Sequence, residues 1–167
     1  MRHAFILTLF LAGSTACADV QCLLTNYADI ASSNIPGIQL RWRPNAAVAF
    51  DRPAVSPNGQ YWITRGNSED LTTTADTFLV WGTGTTFGIV AREGDIIPTT
   101  GTSFGLLPNE QIGNFNPRRS INNAGQFAFS TPGRGTDSSQ NYIVLRGQLV
   151  AGTATNFAVM AREGQTL

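Results

Sequence analysis

The sequence predicts an all-β chain made of two copies of one sheet unit, and three observations carry that prediction. First, the chain repeats itself. Phe87-Gly-Ile-Val-Ala-Arg-Glu-Gly94 returns as Phe157-Ala-Val-Met-Ala-Arg-Glu-Gly164, and Ser56-Pro-Asn-Gly-Gln-Tyr-Trp-Ile63 is echoed by Asn122-Asn-Ala-Gly-Gln-Phe-Ala-Phe129. Second, beyond residue 37 short apolar runs alternate with clusters of Gly, Ser, Thr and Asp, which is strand and turn chemistry. Third, no stretch there sustains a helical period.

The copies are 66 positions apart at Gly59 and Gly125 but 70 apart at Gly94 and Gly164, so they differ by a small loop insertion. A period of that size marks a repeat in which each unit is one supersecondary block that cannot bury its core alone. The expected organisation is a signal peptide over 1–18, a lead-in over 19–37, a first repeat over 38–98 and a second over 99–167.

The leader is read from its ends. Arg2 and His3 give a basic start, Ala4 to Ala12 is an apolar run too short to span a bilayer, and Ala16-Cys-Ala18 offers small residues for cleavage before Asp19. Lipidation at Cys17 is disfavoured because Ser14 stands where that pathway wants a Leu-like residue. No later segment reads as a membrane span, so the chain is expected to be secreted or held at a cell surface.

Composition after that cleavage excludes whole classes of chemistry. All eleven basic residues are Arg, Lys is absent and the only His is His3, so the mature chain has neither. Ser-His-Asp and Cys-His catalysis, His-containing zinc sites and Schiff-base lysines are thereby ruled out. Cys22, the one remaining thiol, has no partner for an intramolecular disulfide. The arginines are scattered except at Arg41/Arg43 and Arg118/Arg119, so no basic stripe for nucleic acid exists. No cofactor is implied.

Strands are expected at 38–43, 60–65, 77–81 and 87–92 in the first unit, and at 104–107, 126–130, 141–146 and 156–162 in the second. The turns at Ser56 to Gly59 and Asn122 to Gly125 have a mechanism. The first side chain hydrogen-bonds the backbone two residues on, and glycine takes the positive φ that closes a hairpin turn. Alternation places Phe87, Ile89, Ala91 and Glu93 on one face of their strand, and Gly88, Val90 and Arg92 on the other. Both faces are apolar until the charged end, as for a strand buried between layers. Gly94 and Gly164 then release the chain. About four short strands per unit, apolar on both faces, describe a propeller-like blade, and two blades make an incomplete ring. Self-association through exposed blade faces, or through further repeats, is the expected consequence.

Asn122-x-x-Gly125-x-x-Ala128-Phe129 followed by Ala161-Arg-Glu-Gly164 resembles the tandem NxxGxxAF/AREG repeat of secreted bacterial proteins. The resemblance covers roughly residues 50–167. The first copy departs from it, with Ser56 in place of Asn and Trp62-Ile63 in place of Ala-Phe, and its Ser-Pro-Asn-Gly turn is similar to that of TolB-type propeller repeats. The resemblance implies a propeller-like fold and an exported chain, and it brings no catalytic residues.

Several residues remain as candidate sites. Arg92-Glu93 and Arg162-Glu163 either present charge to a sugar, a carboxylate or calcium, or tie neighbouring blades through bidentate contacts. Repetition in both units favours the tie. Glu93 with Asp95, and Glu163, are the suspects for a carboxylate-based polysaccharide hydrolase or lyase, although Gln165 replaces Asp95 in the second copy. Trp42, Trp62 and Trp81 could stack on carbohydrate; Trp81, ahead of a Gly-rich turn, is the one expected to be exposed. Gly82-Thr-Gly-Thr-Thr-Phe-Gly88 is a hairpin turn rather than a phosphate loop, since a strand follows it. Asp70, Asp76 and Asp137 lack calcium-loop spacing. The function expected is a non-catalytic module for binding or cell-surface scaffolding.

Overall fold

In the computed structural model, residues 35, 42, 50–69, 72–84, 86–97, 109–116, 118–134 and 141–165 are described. They form an all-β, propeller-like pair of antiparallel sheets stacked face to face, with no helix among the described residues. The first sheet runs in chain order through β1 (Phe50–Val55), β2 (Trp62–Asn67), β3 (Thr77–Thr83) and β4 (Thr86–Arg92). The second contains β5 (Gln111–Ile112), β6 (Arg119–Ile121), β7 (Gln126–Arg134), β8 (Tyr142–Val150) and β9 (Thr153–Arg162). Its order is β5-β7-β8-β9, with β6 also paired to β7.

Both units have the same divided edge. β6 pairs the start of β7 through Ile121 and Phe127, and β5 pairs its end through Ile112 and Gly133. In the first unit β1 pairs β2 from Trp62 to Gly66, and Trp42 bridges Ser68 just beyond its end. Residues 94–97, which follow β4, pair with the second sheet. Gly94 N–H donates to Ile112 O at 2.8 Å, and Ile112 N–H donates to Asp95 O at 2.8 Å. Ile97 N–H then donates to Glu110 O at 2.9 Å.

Register sets the true correspondence of the copies. Trp62 pairs Gly82 and Phe127 pairs Gly147, in each case so that the ring lies over a glycine with no room for a methyl group. Trp62 therefore corresponds to Phe127, one position off the motif alignment. The turns explain the slip. Asn122 N–H donates to Gln126 O, whereas Ser56 N–H donates to Tyr61 O, so the first turn is one residue longer. Asn122 Oδ1 accepts from Ala124 N–H at 3.0 Å, two residues on as expected. Ser56 Oγ differs from expectation and accepts from Tyr61 N–H at 2.9 Å. Gly59 and Gly125 take φ of 73° and 72°.

A bulge at the same place in β4 and β9 corrects the simple alternation. Leu79 pairs Ala91 and Val80 pairs Ile89, leaving Val90 extra; Val144 pairs Ala161 and Leu145 pairs Val159, leaving Met160 extra. A classic bulge puts two successive residues opposite one. Val90 and Ala91 consequently share one side, Phe87 and Ile89 the other, and Arg92 and Glu93 are sent in opposite directions.

Two cores result. Trp62, Phe78 and Val80 of the first sheet pack with Ile35, Trp42 and Phe50. On its other side, Ile63, Leu79, Trp81 and Val90 meet Phe127, Phe129, Ile143, Leu145, Phe157 and Val159 of the second sheet. Each such side chain contributes about 1.5–3 kcal/mol on full burial, so apolar packing is the main adhesive between the sheets. The second sheet thus turns towards the first the face by which the first sheet packs on Trp42.

β1 at 50–55 falls outside the expected strands; Pro53 disguises it, and an edge strand tolerates proline. β7 continues to Arg134, past the end of the strand expected at 126–130. The length difference between copies is a longer hairpin, β8–β9, closed by Ala151 and Gly152 at φ 48° and 79°. The expected strands at 38–43 (apart from Trp42) and 104–107, the leader, Cys22, Asp70 and Asp137 lie outside the described residues.

Candidate functional site

The charged corner of each unit forms where its fourth strand emerges. At the first corner Glu93 is 1% exposed. Its carboxylate accepts from Thr77 Oγ1 at 2.7 Å and is clamped by Arg134, which comes from the end of β7 in the other sheet. Arg134 Nη1 also donates to Thr74 O at 3.0 Å, so one guanidinium spans both groups. Arg92 leaves on the opposite side, donating from Nε to Ala75 O at 2.9 Å and lying 5.2 Å over the Phe78 ring. Asp95 Oδ2 accepts from the Arg92 backbone N–H at 2.9 Å, capping its own turn.

The second corner has the same backbone but different partners. Glu163 N–H donates to Tyr142 O at 2.8 Å, as Glu93 N–H does to Thr77 O at 2.9 Å. Gly164 repeats the positive φ of Gly94, 75° against 89°. Arg162 is buried and forms a bidentate pair with Glu110, at 3.0 Å and 2.5 Å. Glu163 is exposed and accepts a long 3.4 Å contact from Tyr142 N–H. The inter-sheet tie expected of this motif is thus made by its glutamate, through Arg134, while the motif arginines act within their own units.

A third ion cluster joins the sheets at their other end, and the sequence shows only its Arg118/Arg119 doublet. Arg119 holds Asp51 Oδ1 at 2.6 Å and also donates to the carbonyls of Asp51, Arg52 and Asn116. Burial lowers the Arg119 guanidinium below its ordinary value, and the bond to Asp51 offsets part of that. Arg65 completes the group at 3.4 Å from Asp51 Oδ2.

The carboxylate suspects are not assembled. Glu93 is locked between the sheets, Asp95 caps a turn, and Glu163 lies on the far face of the second sheet. A glycoside hydrolase needs two carboxyl groups flanking one bond. The tryptophans offer no stacking platform either: Trp42, Trp62 and Trp81 are 1%, 2% and 2% exposed. The exposure expected for Trp81 fails because the long β8–β9 hairpin carries Gly152 against its indole. Among the described residues no cluster of metal-ligating side chains occurs, and no helix is long and apolar enough to cross a membrane.

What is open is the outer face of the second sheet. Tyr142, Val144 and Met160 are 48%, 37% and 44% exposed there, with Arg146 also exposed. Beside them lies a shallow hollow of about 390 Å³ whose lining includes Arg118, Ser120, Ala128, Ser130 and Val144. No known protein family, curated protein or solved structure matches this chain.

Proposed function

We propose that this chain is a secreted, non-catalytic repeat module that builds a rigid scaffold and presents one sheet face for binding. One observation carries the reading: the repeat's Glu93 is spent holding Arg134 of the neighbouring sheet. The buried Arg162–Glu110 pair supports it, since it too serves packing rather than a cleft. The basic start, apolar run and Ala16-Cys-Ala18 site support export, and the NxxGxxAF/AREG resemblance agrees with a secreted or surface location. The rival, a polysaccharide hydrolase or lyase acting through Glu93, Asp95 or Glu163, finds no paired carboxylates among the described residues: Glu93 is held by Thr77 and Arg134, and Asp95 caps its turn.

The test is sugar release from a panel of neutral and acidic polysaccharides by the secreted chain and by Glu93→Gln, with circular dichroism to monitor folding. No release by either protein is expected. Release by the parent that disappears in a folded Glu93→Gln variant would overturn the proposal. Mass spectrometry of the exported protein should show Asp19 as its first residue.

A further inference from the structure

The first sheet already shows what the second sheet's open face is shaped to receive. Ladder register makes Leu79 correspond to Val144, Trp81 to Arg146 and Ile63 to Ala128, and the shared bulge makes Val90 correspond to Met160. In the first sheet these positions are covered by the second: Leu79 is 0% and Val90 8% exposed. In the second sheet the same positions stand open, with Val144 at 37% and Met160 at 44%.

The corner repeats the contrast in charge and backbone. Glu93 holds Arg134 of the sheet that covers it, whereas Glu163 is exposed. Gly94 N–H and Asp95 O pair with Ile112 of that covering sheet. Gly164 and Gln165 have the same turn, Gln165 N–H donating to Arg162 O at 3.3 Å as Asp95 N–H does to Arg92 O at 3.2 Å. Among the described residues no strand edge lies against them.

We propose that the outer face of the second sheet, with Glu163 and the Gly164–Gln165 backbone, is the seat for a partner sheet of this same repeat. The partner is one that carries arginine at the position of Arg134. It pairs its edge strand with residues 164–165 and packs its apolar face over Val144 and Met160. The inference rests on the scaffold reading above, and sugar release tests that reading separately.

The seat also rejects this chain's own first sheet. Register places Glu69 where the second sheet has Arg134, so Glu163 would meet a like charge. The matching face of that sheet is already occupied by Trp42 and Ile35. One position refines the partner further. Arg146 stands in place of Trp81, so the partner offers an acceptor there, where the second sheet presents apolar surface to the first.

The probe is a second copy of residues 95–164 joined in frame after Gly164 of the full chain. The copy carries Met160→Leu, so that only the host's Met160 is read. Host Met160 oxidation by peroxide is followed by peptide mapping. Docking should lower its exposure from 44% towards the 8% of Val90, about a fivefold slowing of sulfoxide formation. Replacing the copy's arginine at the Arg134 position by Glu should abolish the slowing. Adding host Glu163→Arg to that variant should restore it. An unchanged oxidation rate, both in this host and in one carrying Arg146→Trp, would overturn the proposal, as would protection indifferent to the charge swap.

Discussion

Removing the arginine of the Glu93–Arg134 pair is expected to cost the chain more than neutralising its glutamate, because the two groups differ in burial. Glu93 is 1% exposed and Arg134 32%. In Arg134→Ala the carboxylate stays between the sheets with only the Thr77 hydroxyl and no cation. Stranding one member of a buried pair costs roughly 3–5 kcal/mol, and the partial exposure of Arg134 puts this case at the low end, about 3 kcal/mol. For a chain of this size that is roughly 6–12 °C in Tm. In Glu93→Gln the side-chain shape and an acceptor for Thr77 are retained, and Arg134 can turn to solvent, so the loss is about 1 kcal/mol. Urea titration followed by the fluorescence of the buried tryptophans measures both, with an unchanged m-value as the sign that only stability has moved. Equal losses, or a greater loss in Glu93→Gln, would refute the reasoning.

Three further substitutions probe the interior. Trp81→Ala removes an indole packed between the sheets and should lower stability by about 3–5 kcal/mol; urea midpoints within error of the parent would show that the hairpin tip does not bury it. Gly82→Ala and Gly147→Ala place a methyl group on the Trp62 and Phe127 rings respectively and should each cost about 1–3 kcal/mol, whereas a neutral result in thermal melts would mean that the rings do not lie over those glycines.

Strand identity was legible wherever apolar alternation ran between turn residues, as at 77–81 and 87–92, which became β3 and β4. The turns were legible for the same reason, since Asn122 and Gly125 each have a defined backbone task. What escaped was non-local. Proline in Phe50–Val55 masks an edge strand whose partner alone reveals it. β5 and β6 have two and three residues, too short to show a period. The bulge is invisible to alternation, and with it the fact that Glu93 faces the neighbouring sheet while Arg92 faces away. Arg134 and Glu110, the partners that give the motif its meaning, lie 41 and 52 residues from theirs and carry no local signal.

The long β8–β9 hairpin has a consequence for how the two copies diverged. Its tip rests on Trp81, a residue of the other unit, and the position corresponding to Trp81 in its own unit is Arg146. The inserted residues and the tryptophan are therefore one adaptation shared between two genetic positions. Shortening the hairpin would uncover an indole, and a small residue at position 81 would leave the tip nothing to rest on. Swapping whole units between related chains should succeed only when both halves of that bargain travel together.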